Sequence, residues 1–228
     1  MKIHVVAFAT VGDVLGRELN VELADGSRVE DLKTELAQRH PELAAMWPRL
    51  AIAVDGEIAS PDDALSDGVE VAILPPVSGG APTAVAEIIA PAAERAAIVD
   101  EKIDVGTVER LVAAPNCGAV LLFLGTVRDH HQGRSVARLT YTAYRSMARK
   151  ALARIVEELP ERTAIVHRVG DVPVGEPSVV IAVASPHREA AYETSRTALE
   201  RLKREVPIWK REHYADGEVV WREEEPLV

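Results

Sequence analysis

Short apolar runs dominate the first 74 residues, and most are too brief for anything but strands. A leading run over residues 3–8 reads as one strand, and alternation at Leu19, Val21 and Leu23 ahead of the Asp25-Gly26 turn reads as a second. Leu32 and Leu36, four apart, predict a helix over 29–40 that Pro41 ends. Strands over 50–54, before the Asp55-Gly56 turn, and over 69–74 complete a β-β-α-β-β order. That order suggests a β-grasp, although other small α+β folds share it.

The texture then changes. Residues 75–97, P-P-V-S-G-G-A-P-T-A-V-A-E-I-I-A-P-A-A-E-R-A-A, are rich in proline, glycine and alanine, as linkers are. Beyond them, strands are predicted over 119–127, 136–144, 164–169 and 179–184, with helices over 146–159 and 186–204. This is a second α+β unit, not an alternating α/β wrap, and no internal repeat is visible. The expected division is a first domain over 1–80, a linker over 81–97 and a second domain over 98–228.

Composition sharpens this. The 228 residues, 47% hydrophobic and 27% charged, are those of a globular chain. The start M-K-I-H-V-V-A-F-A-T is too short and too little apolar for a secretory signal, and no run approaches a membrane span, so a cytoplasmic location without membrane attachment is expected. The one cysteine, Cys117, can form no internal disulfide and offers no metal-ligand spacing. Charge is uneven: residues 1–80 hold 6 Lys and Arg against 14 Asp and Glu, while the remainder holds 20 against 22. The second part uses 16 arginines and only 4 lysines, a composition suited to phosphate or carboxylate. With no net positive domain, nucleic acid is not an expected partner.

Four segments carry candidate chemistry. Arg201 to Glu212, R-L-K-R-E-V-P-I-W-K-R-E, holds Lys203 and Lys210 seven apart with Pro207 between them. A solvated basic helix end would account for the charges, but Ile208 and Trp209 are too apolar for a plain surface tail. Lysine can exchange a proton or attack an acyl carbon, which guanidinium effectively cannot. Crowding by Arg201, Arg204 and Arg211 would lower a lysine pKa in the direction catalysis needs. Ser185-Pro186-His187-Arg188 reads as a helix start, with Ser185 as N-cap, where free N–H groups and two side-chain donors would meet an anion. Gly125 to Arg134, G-T-V-R-D-H-H-Q-G-R, places Arg128, His130 and His131 at the mouth of an apolar strand; adjacent histidines diverge and suggest no metal site. Gly79-Gly80 after the first domain allows close backbone approach, or is simple linker.

These stretches resemble a known family. F-L-G-T-V-R (123–128), A-Y-R-S-M-A (143–148), H-R-V-G-D-V-P-V-G-E (167–176), S-P-H-R (185–188) and L-K-R-E-V-P-I-W-K-R-E (202–212) are similar to the large, catalytic subunit of molybdopterin synthase. Residues 1–80, ending in Gly79-Gly80, resemble its small, ubiquitin-like sulphur-carrying subunit. The resemblance implies a β-grasp carrier fused to an α/β-hammerhead-type catalytic domain. It implies sulphur transfer from a glycine thiocarboxylate to cyclic pyranopterin monophosphate, making the molybdopterin dithiolene of the molybdenum cofactor, with no metal or organic cofactor of the enzyme's own. Lys203 and Lys210 match the family's catalytic lysines. Thr126, Val127, Arg128, His187, Arg188, Arg211 and Glu212 match its substrate pocket, and Gly79 and Gly80 the carrier terminus. An adenylating, sulphur-loading enzyme is the implied partner.

Two departures from the family matter. Ala81 follows Gly80 in peptide linkage, whereas a thiocarboxylate needs a free carboxylate; a processing protease cutting after Gly80 is expected, the other option being an idle carrier domain with a separate sulphur donor. At Y-T-A-Y (141–144), Thr142 stands where glutamate is expected. Helical rise adds a constraint: His187 and Lys203, 16 residues apart on one helix, stand about 24 Å apart. One pterin cannot touch both, so a homodimer through the catalytic domain, sharing its sites between protomers, is expected. The rival reading is a non-catalytic carrier fused to a domain that binds a phosphorylated ligand. Phosphoester or nucleotide chemistry would want paired carboxylates or a G-x-x-x-x-G-K loop, and neither is present.

Overall fold

The computed structural model describes residues 1–77 and 94–222. In the first domain the strands are β1 (Lys2–Ala7), β2 (Glu18–Glu22), β3 (Ala51–Val54), β4 (Glu57–Ile58) and β5 (Glu70–Leu74), in the order β2-β1-β5-β3-β4. β1 and β5 run parallel at its centre. Helix α2 (Val29–Arg39) lies where Leu32 and Leu36 predict it and buries both with Val29 against the sheet core. The side chain of Asp31 accepts from the Arg28 N–H to close its first turn. The β-grasp order is thus present with one addition, a short helix α1 (Ala9–Leu15) between β1 and β2. Gly12 interrupts its apolar pattern in the sequence. A β-carbon there would stand 3.0 Å from the Ala7 carbonyl, so close packing on β1 accounts for the glycine.

The second domain is a four-stranded sheet of β6 (Ala96–Val99), β10 (Arg162–Arg168), β12 (Pro177–Ser185) and β7 (Ala119–Thr126), in that order. Strand β6 begins inside the segment expected to be linker; its alanines pair with Ile165 and Val166 in parallel register. Strand β12 is apolar throughout because both its faces are covered. Val179, Ile181 and Val183 face the core shared with helices α4 (Arg145–Glu158) and α5 (Arg188–Glu205), while Val180, Ala182 and Ala184 face helix α3 (Val105–Val112).

A second sheet crosses the end of the first: β11 (Gly170–Pro173), β9 (Arg134–Ala143), β13 (Ile208–Tyr214) and β14 (Val219–Arg222), with the two-residue β8 (His130–His131) paired to β9. Helix α5 ends at Glu205, close to the expected 204, and Pro207 separates it from β13, a strand the sequence did not predict, whose Ile208 to Glu212 pair with β9. One expectation is corrected: Ser185 is not an N-cap. It is the last residue of β12, paired with Ala119, and His187 occupies the cap position without a side-chain capping bond.

The two domains meet along an apolar cluster. Alternation in β5 sends Val71 and Ile73 to the first domain's own core and Ala72 and Leu74 outward, where they join Val6, Ala53, Val77, Tyr144, Met147 and Trp209. Phe8 stacks on Trp209 at 5.1 Å and tilts against Tyr144 at 5.3 Å. Polar bonds rim the contact: the Tyr144 hydroxyl donates to Glu70 at 2.7 Å, Lys150 pairs with Glu57 at 2.9 Å, and the Trp221 indole donates to Asp13 at 2.7 Å. No helix among the described residues is long and apolar enough to cross a membrane.

Replacing Phe8 by Ala is expected to cost up to about 3 kcal/mol, the low end of the range for a buried phenylalanine, because this ring is only partly buried. Because that ring joins the domains, calorimetry should show one unfolding transition becoming two. A single, unshifted transition in the variant would show that the ring cluster does not couple them.

Candidate active site

The end of α5 and the start of β13 form two walls of a cavity of about 400 Å³. Lys203, in the last turn of the helix, and Lys210, third residue of the strand, both line it, together with Thr126, Arg128, Tyr141, His167 and Ser178. The turn through Pro207 makes this possible. Its carbonyl accepts from the Tyr144 N–H at 3.1 Å, which pins the chain reversal to the start of α4. Lys210 then sits opposite Tyr141 in the β9–β13 ladder. Apolar Phe123, Val179, Leu199, Leu202, Val206 and Ile208 form the remaining wall. At Gly125 a β-carbon would fall 2.6 Å from Val179, so only glycine lets β7 pass this close to β12.

Strand geometry assigns the rest of the basic motif elsewhere. Alternation turns Arg211 away from the lysines into a separate cavity between the domains, where its guanidinium lies 4.5 Å over the Trp221 ring. Thr142 lines that same interdomain cavity, so the missing glutamate removes nothing from the lysine pocket. Arg201 is held by Glu205 at 2.8 Å and Glu158 at 2.7 Å. Of the arginines expected to crowd the lysines, Arg201 and Arg211 are thus engaged elsewhere, while Arg128 shares the lysines' cavity.

Glu212 is buried and fully engaged: Tyr214 donates to it through a short hydrogen bond, Arg222 pairs with it at 2.9 Å, and His131 stands 3.8 Å away. It ties β13 to β14 and to the β8 turn, and it does not line the lysine cavity. Burial pushes its carboxyl up, but the bonds from Tyr214 and Arg222 and the nearby charges outweigh that and hold it below the ordinary carboxylate range. His130 turns to Asp129 at 2.9 Å. Val127 is buried, and its backbone is spent on Gly175 and Glu176. His187 and Arg188 stand exposed at the opposite end of α5 from Lys203, outside the cavity of their own chain. Gly79 and Gly80 lie outside the described residues.

Two features escaped the sequence reading. His167, buried on β10, reaches this cavity from a strand that carried no candidate, within a motif noticed only as part of a longer match. Trp209 links the cavity to the first domain: it lines the pocket, and its indole N–H donates to the carbonyls of Pro75 and Pro76 at 3.1 and 3.2 Å. The last described stretch of the first domain is thereby held against the wall of the lysine cavity.

The family described as MoaE protein matches residues 98–205, and the ThiS family matches residues 5–80. A molybdopterin synthase catalytic subunit from Culex quinquefasciatus is 52% identical over 124 residues, covering 52% of this chain and 79% of that protein. Its counterpart from Bacillus subtilis is 45% identical over 130 residues, covering 55% of this chain and 83% of its own. Among solved structures, molybdopterin synthase from Staphylococcus aureus superimposes with a TM-score of 0.51 at 41% identity, covering 55% of this chain and 94% of that one.

Glu212→Gln keeps the shape and removes the charge, and should cost about 1.5–3 kcal/mol at pH 7, the range for hydrogen bonds to a charged group. A depressed carboxyl pKa stabilises the fold above its unfolded value of about 4.3, and that contribution fades as pH falls through the folded value. Urea denaturation should therefore show the deficit at pH 7 shrinking below about pH 4. A deficit that stays constant with pH would mean that the charge is not what holds β14.

Proposed function

The chain belongs to the molybdopterin synthase catalytic-subunit family, with a ThiS-type ubiquitin-like domain in front of it, and from that premise we propose that it is a self-contained synthase acting on cyclic pyranopterin monophosphate. What supports this best is the meeting of Lys203, Lys210, Arg128 and Thr126 in one cavity whose Trp209 wall also holds the carrier's Pro75 and Pro76. Gly80 follows Pro76 by four residues, at most about 14 Å of extended chain, so the carrier terminus has a short path to the lysines.

In this reading the carrier spans 1–80, with residues 81–97 joining it to a catalytic domain over 98–228. An adenylating enzyme loads sulphur on Gly80 after a protease has freed its carboxylate from Ala81. Each transfer forms a carbon–sulphur bond on a pterin side-chain carbon as that carbon's oxygen leaves, with the phosphate when the cyclic ester opens in one round and as water in the other. Water then cleaves the bond between the sulphur and the Gly80 acyl carbon, leaving the Gly80 carboxylate. Two rounds give the dithiolene. Lys203 contacts the Gly80 acyl group and Lys210 moves the proton. Arg128 binds the phosphate, with Thr126 and the Val127 backbone shaping that wall. Arg211 and Glu212 serve from behind, the first at the domain interface and the second by fixing the strand that carries Lys210.

His187 and Arg188 complete a site of the second protomer in a homodimer of the catalytic domain. The distance along α5 supports this sharing. So does the edge strand β7, which leaves Val120 and Leu124, 45% and 39% exposed, open to a second copy.

Lys203→Ala and Lys210→Ala should each lower dithiolene formation by at least about 100-fold, as expected for loss of a proton-transferring or acyl-contacting group. A chain that only binds a phosphorylated ligand would keep its function in both variants. Co-assembled Lys203→Ala and His187→Ala chains should regain activity at one site per dimer, and no recovery would count against shared sites.

The mass of the chain from its native cell tests processing. A fragment ending at Gly80, as free acid or about 16 Da heavier where sulphur replaces oxygen, is expected. Finding only the full-length mass while the cell makes molybdenum cofactor would remove the first domain as donor.

A further inference from the structure

The permanently charged side chains that line the lysine cavity are all hydrogen-bond donors. Lys203, Lys210 and Arg128 can only donate, and the Ser178 hydroxyl already donates to the Gly125 carbonyl at 3.1 Å. His167 is different. Its ring is 4% exposed, packed edge-on against Tyr141 at 5.1 Å, and its Nδ1 lies 2.8 Å from the Arg168 carbonyl. A carbonyl oxygen only accepts, so Nδ1 carries the hydrogen, and in a neutral ring Nε2 must be a bare lone pair. Burial, with the charge of Lys210 adding to it, drives the ring's pKa down to about 4 against the partial opposition of the Arg168 bond, so the neutral form holds throughout the physiological range. That leaves Nε2 as the ring's acceptor, on a residue that lines the cavity.

An acceptor lone pair on a cavity wall is a point where an incoming N–H can bond. The substrate's cyclic phosphate, a diester without a P–OH, cannot do this because its oxygens only accept; it belongs with Arg128 and the lysines. A fused heterocycle bearing N–H groups can, and a reduced pterin presents several on its ring and amino nitrogens. We propose that His167 is a specificity-determining residue of this site, its Nε2 accepting a hydrogen bond from an N–H of the substrate's heterocycle and so setting which edge of the ring system enters the cavity. This rests on the pterin reading above and deepens it, dividing the cavity into a phosphate side at Arg128 and a heterocycle side at His167.

The test uses the full chain and cyclic pyranopterin monophosphate as probe. His167→Phe, which keeps an aromatic ring without an acceptor, should weaken pterin binding and raise KM by about 10-fold or more, with kcat much less affected; one hydrogen bond of about 1.4 kcal/mol corresponds to that factor. His167→Gln, whose carbonyl can accept, should restore most of the loss. In the wild-type chain labelled with 15N-histidine, the Nε2 resonance of His167 should move on adding the pterin and stay still on adding dimethyl phosphate, a diester with no O–H, and this measurement does not depend on either variant folding. Unchanged pterin affinity in His167→Phe, or an Nε2 resonance that the pterin leaves in place, would overturn the assignment while leaving the synthase reading intact. Failure of the wild-type chain to bind the pterin at all would sink both.

Discussion

A β-strand has two faces, and strand β13 uses each for a different domain. Side chains alternate with a period of two, so Ile208 packs into the catalytic core and Lys210 enters the cavity, while Trp209 and Arg211 turn to the carrier domain. The seven residues thus join the place where a carrier terminus can arrive to the place where a substrate can sit. A one-residue slip in register would exchange these roles throughout. The register is fixed on both sides, by β9 through five consecutive pairs from Ile208 to Glu212 and by β14 through Lys210 to His213, with the buried Glu212–Arg222 pair as a bolt.

The cavity owes its chemistry to how different elements end beside one another. Lys203 comes from a helix terminus, Lys210 from a strand, Arg128 from the segment after β7, and His167 from the middle of a sheet. Cationic side chains dominate, as a phosphorylated substrate would require, and apolar residues from α5 and β12 keep part of the wall dry. In such a setting a neutral histidine with one nitrogen committed to a backbone carbonyl is chemically distinct from every cation around it.

Fusion of carrier and catalytic domains in one chain belongs to the same logic. The outward face of the carrier sheet, with Val6, Ala53, Ala72 and Leu74, would be an exposed apolar patch were it not packed on Tyr144, Met147 and Trp209. Burial raises the Tyr144 hydroxyl's pKa, and its bond to Glu70 adds to this, so it remains a donor across the interface. The family relation, the shared core and the two indole bonds to Pro75 and Pro76 all describe a carrier seated on its own catalytic partner.

Local pattern in the sequence determined a good deal. Leu32 and Leu36 placed α2, the apolar run at 179–184 placed β12, and the motif around Lys203 and Lys210 pointed to the family. What it could not determine was which of those residues face each other. Spacing ended the helix near residue 204, but nothing along the chain revealed that the segment after Pro207 is a strand paired with β9. Arg211 and Glu212 looked like pocket residues because they adjoin Lys210, yet alternation turned Arg211 to the domain interface and pairing with Arg222 and Tyr214 engaged Glu212. His167 looked ordinary because nothing near it in sequence is reactive. Residue type and periodicity are properties of the chain, legible one segment at a time; the direction of a side chain and the company it keeps arise only when distant segments pack, and that tertiary packing decided the site.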